Sequence, residues 1–148
     1  SEDRVPSTKE PDPYMHIFLE AGPNILAFFE IPKSPPMRVP ICGPNTPDWV
    51  QHIAFEVADV PLLLQWKANL EAKGVEVVGP TDHAIIMSIY FFDPNGHRVE
   101  LTCTTHKPGD FEKLAKVAPS MVEEFSRTKT VTRQAAWLHE KEFKDFKQ

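Results

Sequence analysis

Cysteine is scarce in this chain: Cys42 and Cys103 are the only two in 148 residues, and they form no Cys-x-x-Cys pair. That leaves no disulfide framework, and the two read as reduced thiols of a cytoplasmic protein. Positive charge is also short. Sixteen Lys and Arg stand against 21 Asp and Glu, for a net charge of −5, and the basic residues are scattered. Nucleic acid is therefore not an expected partner. No apolar run approaches the length of a membrane span and no signal-peptide pattern opens the chain, so no membrane is expected either. What remains is 41% apolar residues and room for one compact domain, or two small fused modules sharing a sheet.

Proline is abundant, at 15 residues, and its placement divides the chain. Ten of the prolines precede residue 48, and after them the stretch His52 to Thr102 reads as β-α-β-β-β. Its first strand alternates, with Ile53, Phe55 and Val57 on one face and His52, Ala54 and Glu56 on the other. Asp59 is a candidate N-cap, Pro61 suits the first helical turn, and Leu63, Trp66 and Leu70 recur at helical spacing as a core stripe. Lys73-Gly74 is a stop signal. A short strand over Val75 to Val78 closes at Gly79-Pro80. Ile85 to Phe92 then alternates, Met87, Ile89 and Phe91 against Ser88 and Tyr90. Asp93-Pro94-Asn95-Gly96 is a turn, and the last strand sets Val99 and Leu101 against Arg98, Glu100 and Thr102.

This parity places His52 and Glu100 on the same sheet face, the one away from the helix. In a curved sheet that face is concave and can hold a ligand. An imidazole and a carboxylate aimed into one cleft are suitable ligands for Fe(II), Mn(II) or Zn(II). Glu56 shares the face but stands four residues from His52, about 13 Å along a strand, too far to share an ion with it.

The segments H-I-A-F-E-V and S-I-Y-F-F-D-P-N-G-H-R-V-E-L, with the helix between them, resemble one module of the vicinal oxygen chelate superfamily. That superfamily includes glyoxalase I, type I extradiol dioxygenases, fosfomycin-resistance and bleomycin-binding proteins. The D-P-x-G-x-x-x-E hairpin, Asp93 to Glu100, is the more specific half of the match. The resemblance implies an α+β fold of βαβββ modules forming a curved mixed sheet with a metal or ligand cleft. It also implies metal ligands from the first and fourth strands of a module, carried here onto His52 and Glu100.

Residues 1–31 read as a partial first module. A polar, proline-punctuated opening is followed by a hairpin, Tyr14 to Glu20 and Ile25 to Ile31, joined by Ala21-Gly22-Pro23-Asn24. It resembles a degenerate copy of Ile85 to Leu101, with Glu30 in the place of Glu100. Alternation sets the odd-numbered Met15, Ile17, Leu19, Ile25, Ala27, Phe29 and Ile31 together on a face that needs cover. His16, Phe18, Phe28 and Glu30 are left for the cleft. The β-α-β that family members carry before such a hairpin is not found before Tyr14. Missing upstream residues or a second chain, as in a homodimer, can complete it. A proline-rich linker fills 32–50, the complete module spans 51–103, and a helical extension covers 104–148. In that extension Phe111, Leu114, Ala115 and Ala118 form a stripe, Pro119 interrupts, and Met121, Val122 and Phe125 resume. A third helical stretch follows, Ala135 to Phe146.

The candidate metal ligands are thus His52, Glu100 and Glu30, for iron, manganese, zinc or nickel. Glu100 and Tyr90 are candidate catalytic groups, as base and as donor to an oxyanion. His16, Phe18, Phe28, Tyr90 and Arg98 are candidate cleft walls around a small-molecule substrate. His83, His97, His106 and His139 read as solvated. With Fe(II) and O₂ such a site cleaves rings, and this needs a second His. With Zn(II) or Ni(II) and two Glu it isomerises or adds a thiol. A metal-free binder of a small aromatic or antibiotic, and an inactive relative that assembles through its tail, are the other readings.

Overall fold

The computed structural model describes residues 7–8, 11, 13–33 and 46–130. Two features expected from the sequence lie outside them: the core of the proline-rich linker and the third helical stretch, with Trp137, Leu138, His139, Phe143 and Phe146. The described residues belong to two compact units, one within Ser1–Val50 together with Asp93–His97, the other within Gln51–Phe92 together with Arg98–Gln148.

The first unit holds a hairpin, β1 (Met15–Ala21) and β2 (Asn24–Glu30). A two-residue turn, Gly22-Pro23, sets Ala21 opposite Asn24, with Gly22 at φ +60°. An even-numbered turn pairs odd positions with even ones, and this corrects the expected faces. Ile17 faces Phe28, Leu19 faces Leu26 and Met15 faces Glu30, while His16 faces Phe29 and Phe18 faces Ala27. Residues directly opposite each other share a face. His16 and Phe18 therefore lie on one side of the hairpin, Phe28 and Glu30 on the other. The rings of Tyr14, His16, Phe18 and Phe29 gather on the first side, with His16 at 4.8 Å from Phe18 and 5.3 Å from Phe29.

The second unit is a four-stranded sheet in the order β3-β6-β5-β4, with α1 and α2. β3 (His52–Glu56) pairs parallel to β6 (Arg98–Thr104), as a strand–helix crossover requires. β5 (Ile86–Phe92) is antiparallel to β6 and to β4 (Val78–Asp82). Asp59 caps α1 (Val60–Ala72), its side chain accepting from the Leu62 amide at 2.8 Å, and Gly74 follows at φ +80°. The core is Leu63, Ile89 and Cys103, packed by Val57, Val60, Leu70, Val77, Met87 and Leu101. Trp66 is not part of it: it is 45% exposed. At 100° per residue Trp66 and Lys67 flank the Leu63–Leu70 line on opposite sides at about equal angles, and it is the Lys67 flank that is the more buried. Lys67 covers its flank with its stem, its ammonium reaching Glu71 and the Val77 carbonyl.

β4 begins later than its β-branched residues suggest, and Gly79-Pro80 lies inside it rather than after it. The β4–β5 register slips between Val78 and Thr81, a bulge where the missing proline N–H breaks no ladder bond. Gly79, at φ +109°, is held there by space as well: a Cβ would come 2.7 Å from the Ser88 carbonyl oxygen. The β5–β6 loop is closed by Asp93, whose Oδ1 accepts from the amides of Asn95 and His97 at 2.9 and 2.8 Å.

α2 (Asp110–Thr128) runs unbroken through Pro119. The carbonyl this proline leaves without its helical partner belongs to Ala115, an exposed position where water can serve. The inner face is Asp110 and Val117, with Leu114 and Met121 half-buried, whereas Phe111, Val122 and Phe125 face outward. Among the described residues no helix is long and apolar enough to cross a membrane.

Candidate functional site

The sheet face away from α1 carries a grid of side chains from three adjacent strands. His52, Arg98 and Phe92 form one row, Ala54, Glu100 and Tyr90 the next, and Glu56, Thr102 and Ser88 the third. Glu100 sits at its centre, 5% exposed. A carboxylate so placed needs hydrogen-bond donors. It has them from both neighbouring strands. His52 Nε2 lies 2.9 Å from Oε2, and the Tyr90 hydroxyl donates to Oε1 at 3.3 Å. Beside it the Ser88 hydroxyl donates to Thr102 Oγ1 at 3.0 Å, and Thr102 to the Met87 carbonyl at 3.3 Å.

Tyr90 has a third neighbour. His83 Nε2 stands 2.8 Å from its hydroxyl oxygen. Because Tyr90 donates its proton to Glu100, the His83 nitrogen is the donor in that contact. Burial raises the Tyr90 pKa above its ordinary 10.0, and the Glu100 charge reinforces this. Tyr90 is thus a neutral donor at physiological pH. The Arg98 guanidinium lies over the same ring, 4.3 Å from its centroid.

The structure therefore brings together His52, Glu100, Tyr90 and Arg98 on one face. His83, expected to be solvated, belongs with them. A tight turn carries it there: Asp82 pairs with Met87, Ala84 adopts φ +71°, and the Ala84 amide is held by Asp82 Oδ1 at 2.7 Å. Extending the Thr81–Ser88 register by two places puts His83 on the Tyr90 face. His106 also departs from expectation: it is half-buried, its ring 4.5 Å from Phe111, and its Nδ1 is buried without a hydrogen-bond partner. Glu30 is exposed on its hairpin, opposite Met15.

Residues 2–101 match the family described as the Glyoxalase/Bleomycin resistance protein/Dioxygenase superfamily. The chain belongs to that family. Solved structures similar to it include an integron cassette protein from the mobile metagenome of the Halifax Harbour sewage outfall, at 42% identity over 36% of this chain and 47% of that one, TM-score 0.34. The genomically encoded fosfomycin resistance protein FosX of Listeria monocytogenes is 31% identical over 38% of this chain and 47% of its own, TM-score 0.34. A glyoxalase/dioxygenase from Nostoc punctiforme is 26% identical over 55% and 54%, TM-score 0.41. The chain spans about half the length of each. At such TM-scores the family match carries the assignment. No curated protein matches the chain.

Members of the glyoxalase superfamily are often metal-dependent, and the donors of this one can be tested for fit. Two ligands bound at about 2.0–2.1 Å and at a right angle on one ion stand about 2.9 Å apart. The His52–Glu100 separation equals that, and it is also an ordinary hydrogen bond. The donor types fit. Among the described residues, no group of three His, Cys, Asp or Glu gathers as a metal-ligand set.

Proposed function

We propose that this glyoxalase-superfamily chain is a divalent-metal-dependent enzyme acting on a small substrate through two neighbouring oxygens, in a cleft over the His52–Glu100 face. The observation that carries the reading is the 2.9 Å approach of an imidazole nitrogen and a buried carboxylate from the first and last strands of one module. His52 and Glu100 would supply two ligands. A bound iron, manganese, zinc or nickel ion would act as a Lewis acid toward the paired oxygens. The chain's own groups do the rest. The neutral Tyr90 hydroxyl, held by His83, would turn its single proton from Glu100 to a developing oxyanion, which frees Glu100 as the carboxylate available as a base. Dioxygenation would need a second His beside this pair.

The mutual satisfaction of His52 and Glu100 supports a second reading, a metal-free small-molecule binder. Equilibrium dialysis of the full chain against Zn(II), Mn(II), Ni(II) and anaerobic Fe(II) separates the two. The enzyme reading expects about one ion per site, lost in His52→Ala and in Glu100→Ala. Wild-type protein that retains no metal would refute it and leave the binder.

A further inference from the structure

Arg98 is the one permanently cationic side chain of the grid, and among the described residues it has no anionic partner. Glu100 is its neighbour two positions along the same strand face, about 6.8 Å away. Yet both Glu100 oxygens accept from other groups, Tyr90 and His52. Among the described residues no carboxylate pairs with Arg98 and no oxygen accepts a hydrogen bond from its side chain. It is held over the Tyr90 ring, 4.3 Å from the centroid, half-buried between His52 and Phe92. Attraction to a ring face uses the charge of a guanidinium and none of its five N–H donors. The fork that matches carboxylate and phosphate geometry is therefore fixed in place and unspent.

The surroundings point the same way. The His52 and His83 rings meet Tyr90 edge-on, with centroids 5.8 and 6.3 Å from it. Three groups that carry or can carry positive charge thus border one neutral phenol. The single carboxylate among them is buried and already accepting two bonds. Glu56 stands in the far row, where the Thr104 hydroxyl donates to it at 3.4 Å. A neutral diol on this face would leave Arg98 idle.

We propose that the substrate of this site carries an oxyanion group, carboxylate or phosphonate/phosphate, and that Arg98 binds it; the inference rests on the reading of the His52–Glu100 face as the binding site.

The test titrates the full chain, metal-free and Zn(II)-loaded, with glycolate, methylphosphonate and neutral 1,2-ethanediol, following ¹H–¹⁵N shifts. Wild type is compared with Arg98→Gln, Arg98→Met and Arg98→Lys, using variants that keep the wild-type circular dichroism. Losing one charge-assisted fork should weaken the favoured anion about 10-fold or more in Arg98→Gln or Arg98→Met. Arg98→Lys should restore part of it, and the diol should respond to none of the changes. Preference for methylphosphonate over glycolate, or the reverse, identifies the anion. Anion affinity unchanged in Arg98→Gln or Arg98→Met, or no anion binding by wild type in either form, would overturn the proposal. Metal stoichiometry keeps the two readings apart. Ions retained in Arg98→Gln with anion affinity also retained sink this inference alone, while Arg98-dependent anion binding without any metal uptake sinks the enzyme reading alone.

Discussion

Glu100 is 5% exposed on a strand whose other face builds the core, and a charge there is tolerated because two strands aim donors at it. Removing either donor leaves a buried acceptor short, so His52 and Tyr90 are structural partners of Glu100 as well as candidate site residues. Cys103, one residue past Thr102, points the other way. It is fully buried beside Leu63 and Ile89, and burial pushes its thiol up from the ordinary 9.0. A raised pKa keeps the sulfur protonated and unreactive. In a Cys42→Ser background we expect Cys103 to resist a thiol reagent near neutral pH and to label fully once denaturant is added. Rapid labelling of the folded protein would contradict its place in the core. Parity was enough to place His52, Tyr90, Arg98 and Glu100 on one sheet face, because each lies in a strand with clean alternation; their candidate roles came from the family resemblance. His83 was missed because it sits at a turn, where facing depends on loop length and on the positive φ of Ala84, a residue that gives no sign of it.

At the scale of elements, the β-α-β-β-β order and the faces of β3, β5 and β6 were legible, and the errors share a cause. Each concerns a position whose facing is set by a count rather than by its own chemistry. The even turn at Gly22-Pro23 reverses the parity between β1 and β2, and so separates His16 and Phe18 from Phe28 and Glu30. In α1 Trp66 and Lys67 flank the Leu63–Leu70 line at about equal angles, and the apolar spacing does not show that the Lys67 flank is the buried one. Pro119 reads as a break but is accommodated in α2 because its orphaned carbonyl faces outward. The α1 correction can be measured by urea denaturation. Leu63→Ala should cost about 2–5 kcal/mol as a cavity in the core. Trp66→Ala should stay within about 1 kcal/mol, as exposed substitutions do. Equal losses would restore Trp66 to the core.

At the scale of the whole molecule, the first unit sets the question. A two-stranded hairpin is marginal in water by itself, and this one is apolar on both sides. Ile17 and Phe28 on one face are 52% and 45% exposed, Phe18 and Ile25 on the other 62% and 69%. Full burial of each such side chain is worth on the order of 1.5–3 kcal/mol, so a cover is worth several times the margin that a single substitution removes. Light scattering on the full chain should give the mass of a dimer or larger, reduced in a Phe18→Ser, Ile25→Ser double variant. A monomeric wild type would contradict this and make the C-terminal segment the cover to test by deleting 109–148.

The central claim is that His52 and Glu100 hold one ion, and X-ray absorption at the metal edge of the Zn(II)-loaded full chain tests it most directly. The account predicts an imidazole nitrogen in the first shell at about 2.0–2.1 Å, with imidazole outer-shell scattering that diminishes in His52→Ala and an oxygen shell altered in Glu100→Gln. A spectrum that neither substitution changes would place the metal elsewhere and contradict the account.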